Sequence, residues 1–323
     1  MTTGKQVKLA LGSGGARGYA HIGVIAELQE RGYEIVGVAG SSMGALVGGL
    51  FAAGRLDEFT AWATTLGQFE VVRLLDPSLS EPGVIRAGKI LDRIREMLGE
   101  LRIEELPVPY IAVATDLTMG RSIWFRDGPL DSAIRTSIAI PGFITPVVAD
   151  GHVLVDGGVL DPLPVVATMA LGPADLTIGV DLSGPVDPAF DRVQPRPNWF
   201  TQWLRTPAQR RAPAEPHPLT SIRATDVAQR AIDLMLAALT RHQLAAHPSD
   251  LVISVPQNAC GTMDFHRADY MIALGRSLTA TALDAHSVAA ASHRAATGLT
   301  AAANAAREAN GDAASGPEPT PAG

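Results

Sequence analysis

Within its first 55 residues the chain switches twice from a short apolar run to a helical pattern, and this alternation restricts the fold most. VKLAL (7–11) stops at glycine, as a buried strand does. Tyr19 to Arg31 then places Ile22, Ile25 and Leu28 at helical spacing and ends at Gly32. EIVGVAG (34–40) repeats the strand pattern, and GALVGGLFAAG (44–54) opens a second helix. Strand–helix–strand order at this density gives parallel strands joined by crossover helices, so the chain reads as α/β. Further strands are expected at 109–117, 153–158, 176–182 and 251–256. Helices are expected at 56–68, 88–99, 130–140, 163–171, 225–247 and 264–283.

At 323 residues, 46% of them hydrophobic and 18% charged, the chain has ample material for a core. A net charge of −7 sets up no basic field, which argues against nucleic acid as the main partner. The single cysteine, Cys260, excludes an intramolecular disulfide and a cysteine-based zinc site. The N-terminal MTTGKQVKLALGSGG lacks the apolar core and cleavage site of an export signal. ALVGGLFAAG (45–54) is far shorter than the about 20 residues that span a bilayer. The expectation is a soluble, cytoplasmic protein able to touch a membrane surface. One domain is expected over 1–285, with a proline-rich excursion at 184–220 and an Ala-rich, disordered tail at 286–323.

The first apolar run passes into GSGGARG (12–18). Such a loop exposes backbone N–H groups, which suit an anion: a bound nucleotide phosphate, or an oxyanion formed during a reaction. A dinucleotide fingerprint is met by Gly12 and Gly14, but its third glycine position falls on Arg17. No Gly-Lys-[Ser/Thr] follows to complete a Walker loop, and Glu34 as a ribose-binding acid stands alone. A plain strand-to-helix turn is the third reading, and the loop by itself does not choose.

A second motif narrows the choice. Gly40-Ser41-Ser42-Met43-Gly44 is G-x-S-x-G between a strand pattern and a helix pattern, as a nucleophile elbow requires. A Cβ at Gly40 or Gly44 would collide with the neighbouring strand or helix, and Ser42 would project at a helix N-terminus. The proton acceptor is then sought. His152, His217, His242, His247, His266, His286 and His293 follow Ser42, but none sits in a loop after a late strand. An acid fits better: Asp156 ends the apolar VLVD (153–156) and is followed by Gly157 and Gly158. Burial there would raise its pKa into a range useful for a base, although an Asp-Gly turn remains the bland alternative. Asp116, Asp161 and Asp181 are rivals, and neither Asp116 nor Asp181 has paired glycines behind it.

Taken in order, Gly12 to Gly18, Gly40 to Gly44 and Asp156 to Gly158 resemble the motifs of the patatin-like phospholipases, serine acyl hydrolases with a Ser-Asp dyad. HIGV (21–24), ATDL (114–117), SIAIPGFITPV (137–147) and DFHRADYMIALG (264–275) are similar to bacterial members, so the resemblance covers about residues 7–283. It implies a three-layer α/β/α sandwich around a mostly parallel sheet. It also implies Ser42 as nucleophile, Asp156 as base and the N–H groups of Gly14, Gly15 and Ala16 as oxyanion hole. Arg17 would shape the loop, with Gly12, Gly18, Gly40, Gly44, Gly157 and Gly158 supporting the three motifs. Ser13 departs from the glycine that many relatives carry.

The implied reaction is cleavage of a phospholipid or lysophospholipid ester through an acyl-enzyme, with no metal or organic cofactor. A general carboxylesterase or thioesterase is the alternative among enzymes, and a nucleotide-binding module the alternative outside them. NWFTQWLR (198–205) groups Trp199, Phe200 and Trp203 ahead of Arg205, Arg210 and Arg211. Two readings of it stay open: an interfacial lid making peripheral membrane contact, or aromatics packed against the domain or a second subunit.

Overall fold

The computed structural model describes residues 4–75, 88–191 and 224–289. Residues 1–279 form one unit and 280–323 another, of which 280–289 are described and helical. Trp199, Phe200 and Trp203, with the rest of 192–223, lie outside the described residues, as do 290–323.

Eight strands form one sheet: β1 (Gln6–Leu11), β2 (Glu34–Ser41), β3 (Tyr110–Asp116), β4 (Arg121–Phe125), β5 (Val147–Ala149), β6 (His152–Asp156), β7 (Leu176–Gly184) and β8 (Leu251–Pro256). Following the ladders gives β5-β6-β3-β2-β1-β7-β8, with β4 also paired to β3. Of the six strands that the sequence marks as apolar runs, five, β3-β2-β1-β7-β8, are parallel, and the sixth, β6, is antiparallel. The parallel five are covered on both faces, which is why both side-chain sets are apolar. In β1, Leu11 faces the helix α2 (Met43–Ala52), while Ala10 packs on Leu163, Val165 and Leu244 in the opposite layer. That opposite layer holds a 3-10 turn at Val166–Leu171 and a long helix at Ala224–Ala246. These are the three layers of the expected sandwich.

On the α2 side lie α1 (Ala20–Glu30) and α6 (Leu130–Ser137). α2 is apolar all round and buried, with Gly48 and Gly49 admitting Val38, Tyr110 and Ile134 against its backbone. Three further helices follow α2 in the chain: α3 (Leu56–Thr64), α4 (Gln68–Leu75) and α5 (Gly88–Leu98).

Several boundaries differ from expectation. The helix expected at 56–68 is α3, which ends at Thr64, and a second helix that was not expected, α4, begins at Gln68 after Gly67. The helix expected to run to Ile140 stops at Ser137, because the residues before Pro141 are pushed out of helical geometry. The segment 163–171 forms only a 3-10 turn, Val166–Leu171, between Pro164 and Gly172. β4 and β5 were not expected at all.

Candidate active site

The topology brings two remote motifs end to end. β2 pairs with β3 as far as Ser41–Val113, and β6 pairs with β3, antiparallel, from Asp156–Ala114. Residues 112 and 113 pair with both β2 and β4, and 114–116 with both β4 and β6. So β2 and β6 share one edge of β3, and their C-terminal ends meet head-on. Ser42 leaves one end and Asp156 closes the other. Contact is this close because a Cβ on Gly157 would overlap the Val113 carbonyl.

Ser42 has φ 56° and ψ −123°, a left-handed geometry that costs a non-glycine residue about 1–3 kcal/mol. The elbow is held by packing and hydrogen bonds. A Cβ on Gly40 would strike the Gly44 and Ala45 backbone, and one on Gly44 the Leu11 and Gly12 carbonyls, as the sequence pattern predicts. The Ser42 N–H donates to Ser137 Oγ at 3.0 Å, and that hydroxyl donates in turn to the Val113 carbonyl at 2.6 Å. Ser137 is fully buried, so Ser137→Ala leaves two backbone groups unsatisfied. We expect a loss of about 1–3 kcal/mol in stability, read by denaturant unfolding, together with a lower kcat as the elbow relaxes. An unchanged midpoint and rate would remove Ser137 from this role.

The Ser42 hydroxyl donates to Asp156 Oδ2 at 2.5 Å, while Asp156 Oδ1 accepts the Gly158 N–H at 2.7 Å. Burial pushes the Asp156 pKa up to about 6, against the pull of these two donors. The rival acids are otherwise engaged. Asp116 Oδ1 accepts the Thr118 and Met119 N–H groups at 2.9 and 3.2 Å, and its Oδ2 meets His152 Nδ1 at 2.8 Å. Asp181 accepts from the Ser183 N–H and hydroxyl. Asp161 is also pushed up to about 6 by burial, but it is its main-chain carbonyl that accepts the Ser41 hydroxyl, at 2.6 Å. Among the described residues no histidine bonds Ser42; His217 and His293 lie outside them.

In the glycine loop, Gly12 N–H donates to Val180 O at 3.0 Å and Ser13 N–H to Pro162 O at 2.8 Å. The N–H groups of Gly14 and Gly15 have no partner among the described residues. Ala16 requires a correction: its N–H, expected as a third oxyanion donor, is committed to Thr262 O at 2.9 Å. Arg17 is buried and donates to Leu182 O at 3.0 Å, to the Gln257 and Cys260 carbonyls at 3.3 Å, and to Thr262 Oγ1 at 3.4 Å. It therefore ties the loop to the ends of β7 and β8. Gly18 abuts Met43, the first residue of α2.

One contributor escaped sequence reasoning. His21 is fully buried and its Nε2 lies 2.8 Å from the Gly12 carbonyl, so Nε2 carries the proton. Burial pushes its pKa down to about 4, which keeps the ring neutral as a brace for the loop. Its sequence signals were its place just behind the glycines and at the head of HIGV (21–24), neither of which gave it a role.

Gly15 and Ser42 both open onto a pocket of about 850 Å³ including its mouth. α3, α4 and α5 supply Phe59, Trp62, Val71 and Leu91, the link between α3 and α4 supplies Leu66, and the loop after α6 supplies Phe143 and Ile144; the wall is apolar almost throughout. Among the described residues no group of histidine, cysteine and acidic side chains is placed to hold a metal, and no helix is long and apolar enough to cross a membrane.

A serine and two free backbone donors at an apolar pocket suit an enzyme that cleaves esters of lipids. Residues 9–169 match the family model described as patatin-like phospholipase. An NTE family protein of Mycobacterium tuberculosis is 47% identical over 88% of this chain and 92% of its own length. The chain belongs to the patatin-like phospholipase family and is a lipid ester hydrolase. It is also similar to Lysophospholipase NTE1 of Mycosarcoma maydis, 36% identical over 59% of this chain and 10% of that protein. Neuropathy target esterase sws of Drosophila melanogaster is 32% identical over 57% of this chain and 13% of its own.

Proposed function

We propose that the protein is a lysophospholipase-type hydrolase that releases a fatty acid from single-chain lipid esters, with Ser42 as nucleophile and Asp156 as base. The observation that carries this is the 2.5 Å bond from the Ser42 hydroxyl to a buried carboxylate, made where Ser42 enters the apolar pocket. Asp156 takes the Ser42 proton as Oγ attacks the ester carbonyl. The Gly14 and Gly15 N–H groups, aided by the N-terminus of α2, receive the oxyanion. The proton passes to the departing alcohol, and Asp156 then draws a proton from the water that splits the acyl-enzyme.

Preference for one acyl chain is supported by the cavity beside the glycine loop. That cavity, lined in part by Ser13, Arg17, Ser183 and Gln257, is only about 300 Å³ including its mouth, against about 850 Å³ for the pocket at Ser42, so it offers a second chain no comparable place. The name of the Mycosarcoma maydis relative agrees.

Product analysis on a lysophospholipid, a diacyl phospholipid and a short-chain ester tests the reading. Free fatty acid should form fastest from the lysophospholipid, and kcat/KM should rise with pH to a plateau, half-maximal near the Asp156 pKa of about 6. A short-chain ester preferred over both lipids would point to a general carboxylesterase, and no turnover of any would sink the hydrolase reading.

A further inference from the structure

β4 lies at an edge of the sheet, and its free side carries unused main-chain groups. Just before and just after β3, the Pro109 carbonyl accepts the Val38 N–H and the Leu117 N–H donates to Val153 O, both at 2.9 Å. The odd-numbered residues of β3 therefore face the edge shared by β2 and β6, because successive residues direct their main-chain groups to opposite edges. The even-numbered ones, Ala112, Ala114 and Asp116, exchange bonds with Phe125, Ile123 and Arg121, their partners on β4. That leaves Ser122 and Trp124 with N–H and C=O directed away from β3. Neither group has another partner among the described residues. β4 is half-exposed, with Trp124 at 36%, and unpaired main-chain groups of this kind meet water. A bare row of them is a template for another strand.

The strand fits a second copy of itself. Laid antiparallel about a two-fold axis at Trp124, the run RSIWFRD (121–127) is its own complement. Trp124 exchanges both main-chain bonds with its counterpart, and Ser122 does so with Arg126 on either side. On one face the two Trp124 rings meet. On the other, Ile123 faces Phe125 and Arg121 faces Asp127, each twice. An axis at Ile123 would set Arg121 against Phe125, and one at Phe125 would set Asp127 against Ile123, so charge selects the register. Both charges are exposed and available. Arg121 reaches Asp116 Oδ2 only at 4.0 Å, where His152 already holds that oxygen at 2.8 Å. Asp127 makes no hydrogen bond or ion pair among the described residues and acts on Arg102 only at a distance.

We propose that the chain forms a two-fold dimer in which the β4 edges pair about Trp124, so that the sheet continues from one copy into the other. Sedimentation velocity of the full chain over a concentration series tests it. The wild type should associate with a Kd of about 10 μM or tighter. Ser122→Pro removes an outward N–H that the ladder to β3 does not use, so this variant should fold and sediment as a monomer. Arg121→Asp and Asp127→Arg should each weaken the dimer about tenfold, because both ion pairs across the axis turn repulsive. Mixed in equal amounts, these two variants should associate as the wild type does, since every acid at the two positions then faces an arginine. A wild type that stays monomeric up to about 100 μM overturns the proposal, and leaves Arg121 and Arg126 as guards against strand pairing. A dimer unchanged in all three variants lies on another surface and overturns it as well. Charge reversals that weaken the dimer without rescue in the mixture refute the register. Should Ser122→Pro fail to fold, judged by circular dichroism, the charge reversals and their mixture decide alone.

Discussion

Asp156→Asn should fold, bind substrate and turn over about 10⁴-fold more slowly than the wild type. Asparagine keeps the shape of the side chain, and its carbonyl can still accept the Gly158 N–H that Oδ1 accepts at 2.7 Å. What changes is the group 2.5 Å from the Ser42 hydroxyl: an acceptor becomes an amide with no affinity for the proton. Ser42→Ala should fall at least as far, and the double variant no further, because the two side chains act as a unit. Stability should move the other way. Burial raises the Asp156 pKa from 3.8 to about 6, so between those values the folded state binds a proton that the unfolded state has released. Stability therefore declines as pH rises through this window and stays lower above it. The Asn variant escapes that decline. It should melt above the wild type at pH 7.5, with the gap closing towards pH 4. Steady-state kinetics and melting curves at the two pH values check both halves; a variant that keeps a tenth of the wild-type kcat ends the dyad assignment.

The parts of the fold that were legible are those whose burial leaves a local trace. β1, β2, β3, β7 and β8 are continuous apolar runs because both of their faces are covered. β4 (RSIWF) and β5 (VVA) are half-exposed, and antiparallel pairing to one neighbour apiece holds them in the sheet. A strand so short and so little buried has no pattern that distinguishes it from a loop. The candidate site divides in the same way. Ser42 and Asp156 each carry local glycine requirements, so their motifs could be read, but their contact depends on β3 receiving both strands on one edge. Ser137 and the engaged N–H of Ala16 act through an amide and a carbonyl far along the chain, and His21 through a carbonyl nine residues back, a spacing that belongs to no regular element. Bonds of that kind leave no spacing to count.

Gly15→Ala should be the most damaging change outside the dyad. Gly15 sits at φ +57°, which costs an alanine about 1–2 kcal/mol by itself. The larger effect is steric: its Cβ would overlap the Thr262 carbonyl, which anchors the loop by accepting the Ala16 N–H at 2.9 Å. Relief of that overlap moves the Gly15 N–H, and with it the Gly14 N–H, away from the position that the oxyanion occupies. Each donor lost is worth about 10²–10³ in kcat, whereas KM, set largely by the acyl chain in the pocket, should change little. A fluorophosphonate should also label Ser42 more slowly, since its adduct needs the same two donors. Gly54→Ala is the control. Gly54 has φ +66° with open space around it, so the variant carries the backbone strain without the collision. Both variants should lose stability through strain, Gly15→Ala the more because of the collision, but only Gly15→Ala should lose catalysis. If folded Gly15→Ala retains kcat within about threefold of wild type, a range well inside the loss of one donor, the two free N–H groups are not the oxyanion hole.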